Sequence, residues 1–141
     1  MSYIPKHFTI QELVDPETYV KLGQKALSVM DDRILMTADM IREYFNKPMT
    51  INNYNLGLHY RGFRNANCTV GSKGSMHKQG KAIDFNVSGI SDEEMRQIIL
   101  KNYKTVPAFK YITGLELLTN GWVHADVRPW DRSKGLFTFT G

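Results

Sequence analysis

Ser75-Met76-His77-Lys78-Gln79-Gly80-Lys81-Ala82-Ile83-Asp84-Phe85-Asn86-Val87 carries the passage from loop to sheet around which the rest of the chain is organised. Up to Gly80 the residues are polar and without period. From Lys81 to Val87 apolar and polar positions alternate, so a strand is expected with Ala82, Asp84 and Asn86 on one face and Ile83, Phe85 and Val87 turned to the core. Gly80 lets the chain turn from loop into strand. His77 then lies close enough in sequence for its imidazole to converge with the Asp84 carboxylate, and the small Ala82 beside them leaves room for a metal. A histidine and an aspartate alone are a weak signal, since a hydrogen-bonded imidazole and a capping carboxylate explain most such pairs.

A second alternating stretch, Trp122-Val123-His124-Ala125-Asp126-Val127-Arg128, turns Val123, Ala125 and Val127 inward and leaves Trp122, His124 and Asp126 on the polar face. Two histidines and one carboxylate with an open fourth position are the donor set of a catalytic zinc, which acidifies water into a nucleophile near neutral pH. Tyr111 to Leu118 is expected to pair with Trp122 to Arg128 as a hairpin turning at Thr119-Asn120-Gly121.

The N-terminal third reads as helical. Thr9 with Glu12 forms a capping box before a short helix, and Asp15-Pro16 supplies a second cap with proline at the first helical position. Leu27, Met30, Ile34, Ala38, Ile41 and Phe45 recur every three or four positions, which predicts one long amphipathic helix ending before Pro48. A short strand follows from Met49 to Asn52. Beyond it runs a long polar loop with a turn of helix expected near Asn65; loops of this length are usually functional. Ser91 with Glu94 is a further capping box, opening a helix to about Tyr103 with Met95, Ile98, Ile99 and Tyr103 inward.

With 141 residues, 42% hydrophobic and 23% charged, the composition is that of one domain, residues 1–141, able to bury a core without disulfides. The lone Cys68 cannot form an internal bridge. MSYIPKHFTI has no long apolar run, and no stretch is apolar enough for a membrane span, so synthesis in the cytoplasm is expected. The net charge of +4 comes from scattered residues rather than a basic run, which speaks against nucleic acid and suits an anionic wall polymer.

Together these residues resemble the zinc D-Ala-D-Ala carboxypeptidase and L-alanoyl-D-glutamate endopeptidase family, its short phage-type members most of all. Ser75 to Asp84 fits the family's S-x-H-x-x-G-x-A-x-D motif at every fixed position, and Trp122-Val123-His124-Ala125-Asp126 fits its second signature. Phe8 to Leu13 is similar to the family's opening, and Gly62-Phe63-Arg64 stands where Gly-Tyr-Arg is common. The resemblance implies an α+β fold shared with lysostaphin-type peptidases and the Hedgehog signalling domain, with a small antiparallel sheet carrying the zinc site against N-terminal helices. It implies His77, Asp84 and His124 as Zn²⁺ ligands, Arg64 as a holder of a substrate carboxylate or a structural ion pair, and Ser75 as a hydrogen-bonding support near His77.

One position departs from the pattern: many members carry an acid three residues before the last histidine, where this chain has Gly121. Glu116 is the expected general base in its place. A three-residue turn with Gly121 left-handed pairs Leu118 with Trp122 and Glu116 with His124, whereas a two-residue turn would bring Leu117 opposite His124. Asp126 is the second choice, its alternative being to orient a histidine ligand. His59 is a candidate to line the cleft, with a plain surface position as its alternative, and Trp122 is a candidate to wall it; His7 carries no functional expectation, and Trp130 should pack the C-terminal segment.

The expected activity is hydrolysis of an amide in peptidoglycan stem peptides or cross-links by a monomeric zinc peptidase, as a phage endolysin or tail-associated lysin acting on murein after release or from the virion. Neither nucleic acid nor membrane is an expected partner. The alternative is a zinc-stabilised binding or structural module that has lost catalysis.

Overall fold

The computed structural model describes residues 3–141, so Met1 and Ser2 of the opening stretch lie outside the described residues. Asp15 and Pro16 start α1 (Pro16–Leu22) as expected: Asp15 Oδ1 accepts the Thr18 amide at 2.9 Å, satisfying one of the amides a helix start leaves unpaired. The Thr9–Glu12 pair does not open a helix. Glu12 takes the Thr9 amide and hydroxyl at 3.4 and 3.1 Å, but the chain makes a single turn and Val14 then bridges Phe63. Leu13 and Val14 are both fully buried, drawn into the core by that turn and by the bridge to Phe63.

The long helix expected from Leu27 to Phe45 is divided. A 3-10 segment, Gly23–Val29, carries Leu27; Met30 is extended; and α2 (Asp32–Phe45) begins after Asp31, whose carboxylate accepts the Arg33 amide at 2.8 Å. Two successive aspartates suit a helix start, where they meet free amides and the positive end of the dipole, better than an interior. The apolar stripe survives the break, with Ile34, Ala38 and Ile41 completely buried. Asn46, left-handed at φ 50°, closes α2 ahead of Pro48.

β1 (Met49–Thr50), β2 (Ala82–Val87), β3 (Gly114–Leu117), β4 (Val123–Asp126) and β5 (Phe137–Thr140) form a five-stranded sheet in the order β1-β2-β4-β3-β5. The class is α+β as expected, but the sheet is mixed rather than antiparallel throughout: β5, not foreseen as a strand, runs parallel to β3. α3 (Asp92–Asn102) opens with the Ser91–Glu94 box made reciprocally. The core lies between the helices and one face of the sheet. Ile83 and Phe85 of β2, Leu115 of β3 and Ala125 of β4 bury there fully with Ile34, Leu35 and Ile99, each large side chain contributing about 1.5–3 kcal/mol.

The opposite face is held for polar residues. Ala82 pairs with Asp126 and Asp84 with His124, so the polar positions of β2 and β4 stand side by side. Gly80, at φ 70°, makes the bend into β2 so close to the preceding elements that a Cβ would lie 2.1 Å from the Val29 carbonyl oxygen. No helix forms near Asn65; a 3-10 turn occurs instead at Tyr54–Leu56. Asn65 donates from its amide and side chain to Asp15 Oδ2 at 2.7 and 2.6 Å, so the carboxylate that caps α1 also grips the loop bearing Arg64. Among the described residues no helix is long and apolar enough to cross a membrane.

Candidate metal centre

β2 and β4 bring Asp84 and His124 abreast, and the turn before Gly80 swings His77 over them. His77 Nε2 stands 3.1 Å and His124 Nδ1 3.0 Å from the same oxygen, Asp84 Oδ1, and one ligating atom from each of the three residues lies within 4.8 Å of the others. All three are buried.

The outer partners reveal what these atoms are. His77 Nδ1 lies 2.8 Å from the Gly62 carbonyl, which can only accept, so this nitrogen donates and Nε2 is the ring atom turned toward Asp84. His124 Nε2 lies 2.8 Å from Asp126 Oδ2 and in the same way leaves Nδ1 facing inward. Two imidazole lone pairs and a carboxylate oxygen thus converge on one point. Three acceptors repel one another unless a cation stands between them, and His₂Asp is a donor set for zinc, with ligating histidines oriented through their far nitrogens. The residues fit the ion.

Without a metal, a proton is the only cation available. Burial disfavours an imidazolium at His124, but hydrogen bonds to Asp126 and Asp84 outweigh it and raise its pKa to about 9. Burial would raise Asp84 as well; His77 and His124 instead hold it well below the usual carboxylate range. Asp126, also opposed by burial, is lowered to about 2 by hydrogen bonds from Arg128 and His124.

Asp126 stands behind His124, away from the point of convergence. It is completely buried, and Arg128 forks onto it through Nε at 2.8 Å and Nη2 at 2.6 Å. That is the position of an orienting acceptor rather than of a base facing substrate. Arg64 donates from Nη2 to Asp84 Oδ2 at 3.3 Å and from Nε to the Tyr60 carbonyl at 2.7 Å, so the ion-pair alternative for this residue is realised. Ser75 Oγ accepts from the His77 backbone amide at 3.2 Å, which secures the turn, while the imidazole itself is fixed by Gly62.

Glu116 takes the register of a three-residue turn. Gly114 pairs with Asp126 and Leu115 with Ala125, which sets Glu116 level with His124. The turn differs in detail, for Leu118 as well as Gly121 has positive φ, at 63° and 107°. Asp84, His124, Glu116 and Phe139 therefore form one row across four strands. A cleft of about 490 Å³ opens over this row, lined also by Arg64, Trp122 and Arg128. Glu116 is held in the sheet opposite Phe139, and its carboxylate has no hydrogen-bond partner among the described residues. His59 does not reach the cleft: it packs edge-on against Tyr54 and Tyr60, at centroid distances of 5.1 and 6.0 Å. Trp130 packs the C-terminal segment as expected, against Phe137.

A model of the family Peptidase M15 matches residues 6–126, which include every residue of the converging cluster. The chain belongs to this family. Its members are zinc peptidases, and His77, Asp84 and His124 form a group that could hold the ion. No curated protein and no solved structure matches the chain. Three site features escaped the reading of the M15 chain's sequence: the Gly62 carbonyl, Arg128 and Phe139. A backbone acceptor leaves no mark in a sequence. Arg128 continues the 124, 126, 128 alternation, and Phe137-Thr138-Phe139-Thr140 has the period of a strand, so both carried a signal.

Proposed function

We propose that the chain hydrolyses an amide bond in peptidoglycan stem peptides or their cross-links, with His77, Asp84 and His124 as the zinc ligands and Glu116 as the general base. The convergence of three acceptor atoms whose tautomers are fixed from behind is the observation that carries this reading. When bound, zinc supplies Lewis-acid chemistry, polarising a carbonyl and making water nucleophilic near neutral pH. The chain's own groups do the rest. Gly62 and Asp126 hold the far imidazole protons, so the near nitrogens are the ones turned to the metal. Arg64 holds Asp84 in its rotamer. Glu116, in line with His124, takes the proton from water and returns it to the leaving amine. Trp122 and Phe139 wall the cleft and exclude bulk water.

This activity suits an enzyme made in the cytoplasm that meets murein on release or as part of a virion, as an endolysin or tail-associated lysin. Replacing Glu116 by Gln is expected to leave the zinc content at one ion per chain and to lower turnover of purified peptidoglycan about 10²–10⁴-fold. Wild-type turnover by that variant would remove Glu116 from the mechanism.

A second reading, a zinc-stabilised module without catalysis, is favoured by one observation. Gly121 stands where many relatives carry an acid, and its backbone is engaged as scaffold: its amide donates to Asp92 at 3.1 Å and its carbonyl accepts from Arg61 and Asn86. Under that reading zinc removal loosens the fold, but a zymogram on cell walls shows no clearing.

A further inference from the structure

We propose that Arg128, seated on Phe137 and Phe139, is an anion subsite of the cleft that takes a carboxylate of the stem peptide; the proposal rests on the peptidase reading above. Its guanidinium carbon lies 4.6 Å from each of the two ring centroids, and the Nε and Nη2 fork on Asp126 fixes its plane. A guanidinium has five N–H donors. The Asp126 fork consumes one edge and leaves the Nη1–Nη2 edge, the geometry that receives a second carboxylate through two parallel hydrogen bonds. Because the side chain is already immobilised by stacking and pairing, little rotamer entropy remains to be lost on binding.

Arg64 is the other arginine of the cleft, and it is less suited. Its side chain is 11% exposed against 20% for Arg128, and its Nη1 lies under the loop, within 2.6 Å of where a Cβ on Gly71 would be. Its fork is directed at Asp84 and the Tyr60 carbonyl, which makes it a holder of the metal ligand. Two guanidiniums and a divalent ion, against Asp84, Glu116 and Asp126, leave the loaded site one positive charge in excess, which an anionic peptide neutralises. Arg128 is joined to the ligand cluster through Asp126 and His124, by hydrogen bonds of 2.6 and 2.8 Å. An anion held there therefore belongs to residues close to the bond being cut. Arg128 and β5 lie beyond residue 126, where the family match ends.

The test uses the zinc-loaded full chain and a synthetic stem pentapeptide, compared with the same peptide carrying each carboxylate in turn as the carboxamide. Affinity by calorimetry and KM and kcat by mass analysis are both read, so a chain that binds without cutting still answers. One of the amidations is expected to weaken binding and raise KM tenfold or more with kcat little changed. In Arg128→Gln that preference should fall to within twofold, whatever loss of kcat follows from loosening Asp126, since such a loss affects acid and amide alike. Arg64→Lys should retain the preference. Should Arg128→Gln fail to fold, Arg128→Lys, which keeps charge but lacks the fork, should show a reduced preference. Equal binding of acid and all amides by the wild type, or a full preference surviving in the Arg128 variants, overturns the subsite. Binding with the expected preference but no cleavage supports the subsite and instead overturns the peptidase reading.

Discussion

Zinc and a proton compete for one lone pair, Nδ1 of His124, and the competition can be measured. In the metal-free chain hydrogen bonds to Asp126 and Asp84 hold His124 protonated up to a pKa of about 9, so at neutral pH each ion bound must expel a proton. Zinc affinity should therefore rise about tenfold per pH unit between pH 7 and 8.5 and level off above 9. The folding equilibrium of the metal-free chain moves the opposite way. A histidine whose pKa is raised above its ordinary value near 6.5 stabilises the fold fully below that value, and the contribution is lost as pH rises through about 9. The gap amounts to about 3 kcal/mol. Competition against a chromophoric zinc chelator across this range gives the affinity, and thermal unfolding with and without zinc gives the two stabilities. The chelated chain should lose stability as pH rises while the loaded chain holds or gains it. Asp126→Asn removes the carboxylate behind His124, and the affinity slope should flatten at lower pH. A zinc affinity that stays constant from pH 7 to 8.5, or a slope unmoved by Asp126→Asn, would refute the assignment of the two nitrogens.

Gly114→Ala would set a Cβ 2.2 Å from Asp126 Oδ1 and 2.7 Å from Arg128 Nε, forcing the acceptor off His124; zinc affinity by the same chelator competition should fall about 10–100-fold. Asp15→Ala deletes the cap of α1 and the grip on Asn65 together, and urea unfolding should show a loss of about 2–4 kcal/mol. Because Arg64 adjoins Asn65, turnover should fall in that variant as well, whereas Thr18→Ala, which keeps the backbone amide that Asp15 caps, should leave turnover unchanged.

Much of the architecture was legible because burial imposes a period. The alternation in Lys81–Val87 and Trp122–Arg128 located β2 and β4 and assigned their polar faces, while the pairing that sets Asp84 against His124 is seen only in the folded sheet. The register of Glu116 followed from turn geometry, since a slip of one residue would have put Leu117 in the row. What failed was local propensity overruled by packing. The Leu27–Phe45 stripe is real, but Asp31 and Asp32 break the helix beneath it, and the Gly80 carbonyl takes the Asp31 amide at 2.8 Å. Thr9 and Glu12 meet as a capping pair does, yet Leu13 and Val14 are drawn into the core before a helix can form. The place of His59 was left open between cleft and surface, because its partners, Tyr54 and Tyr60, come together only through the fold of a long loop, which has no period to read.

The most direct test is mass analysis of the muropeptides released when the pure chain meets purified peptidoglycan, run as isolated, after chelation, and after zinc is restored. New amine and carboxyl ends on stem peptides should appear with zinc, vanish on chelation and return on reconstitution, and His77→Ala, Asp84→Ala and His124→Ala should each behave as the chelated chain does. Unchanged release after complete zinc removal, or no release from any wall by a chain carrying one zinc per molecule, would contradict it.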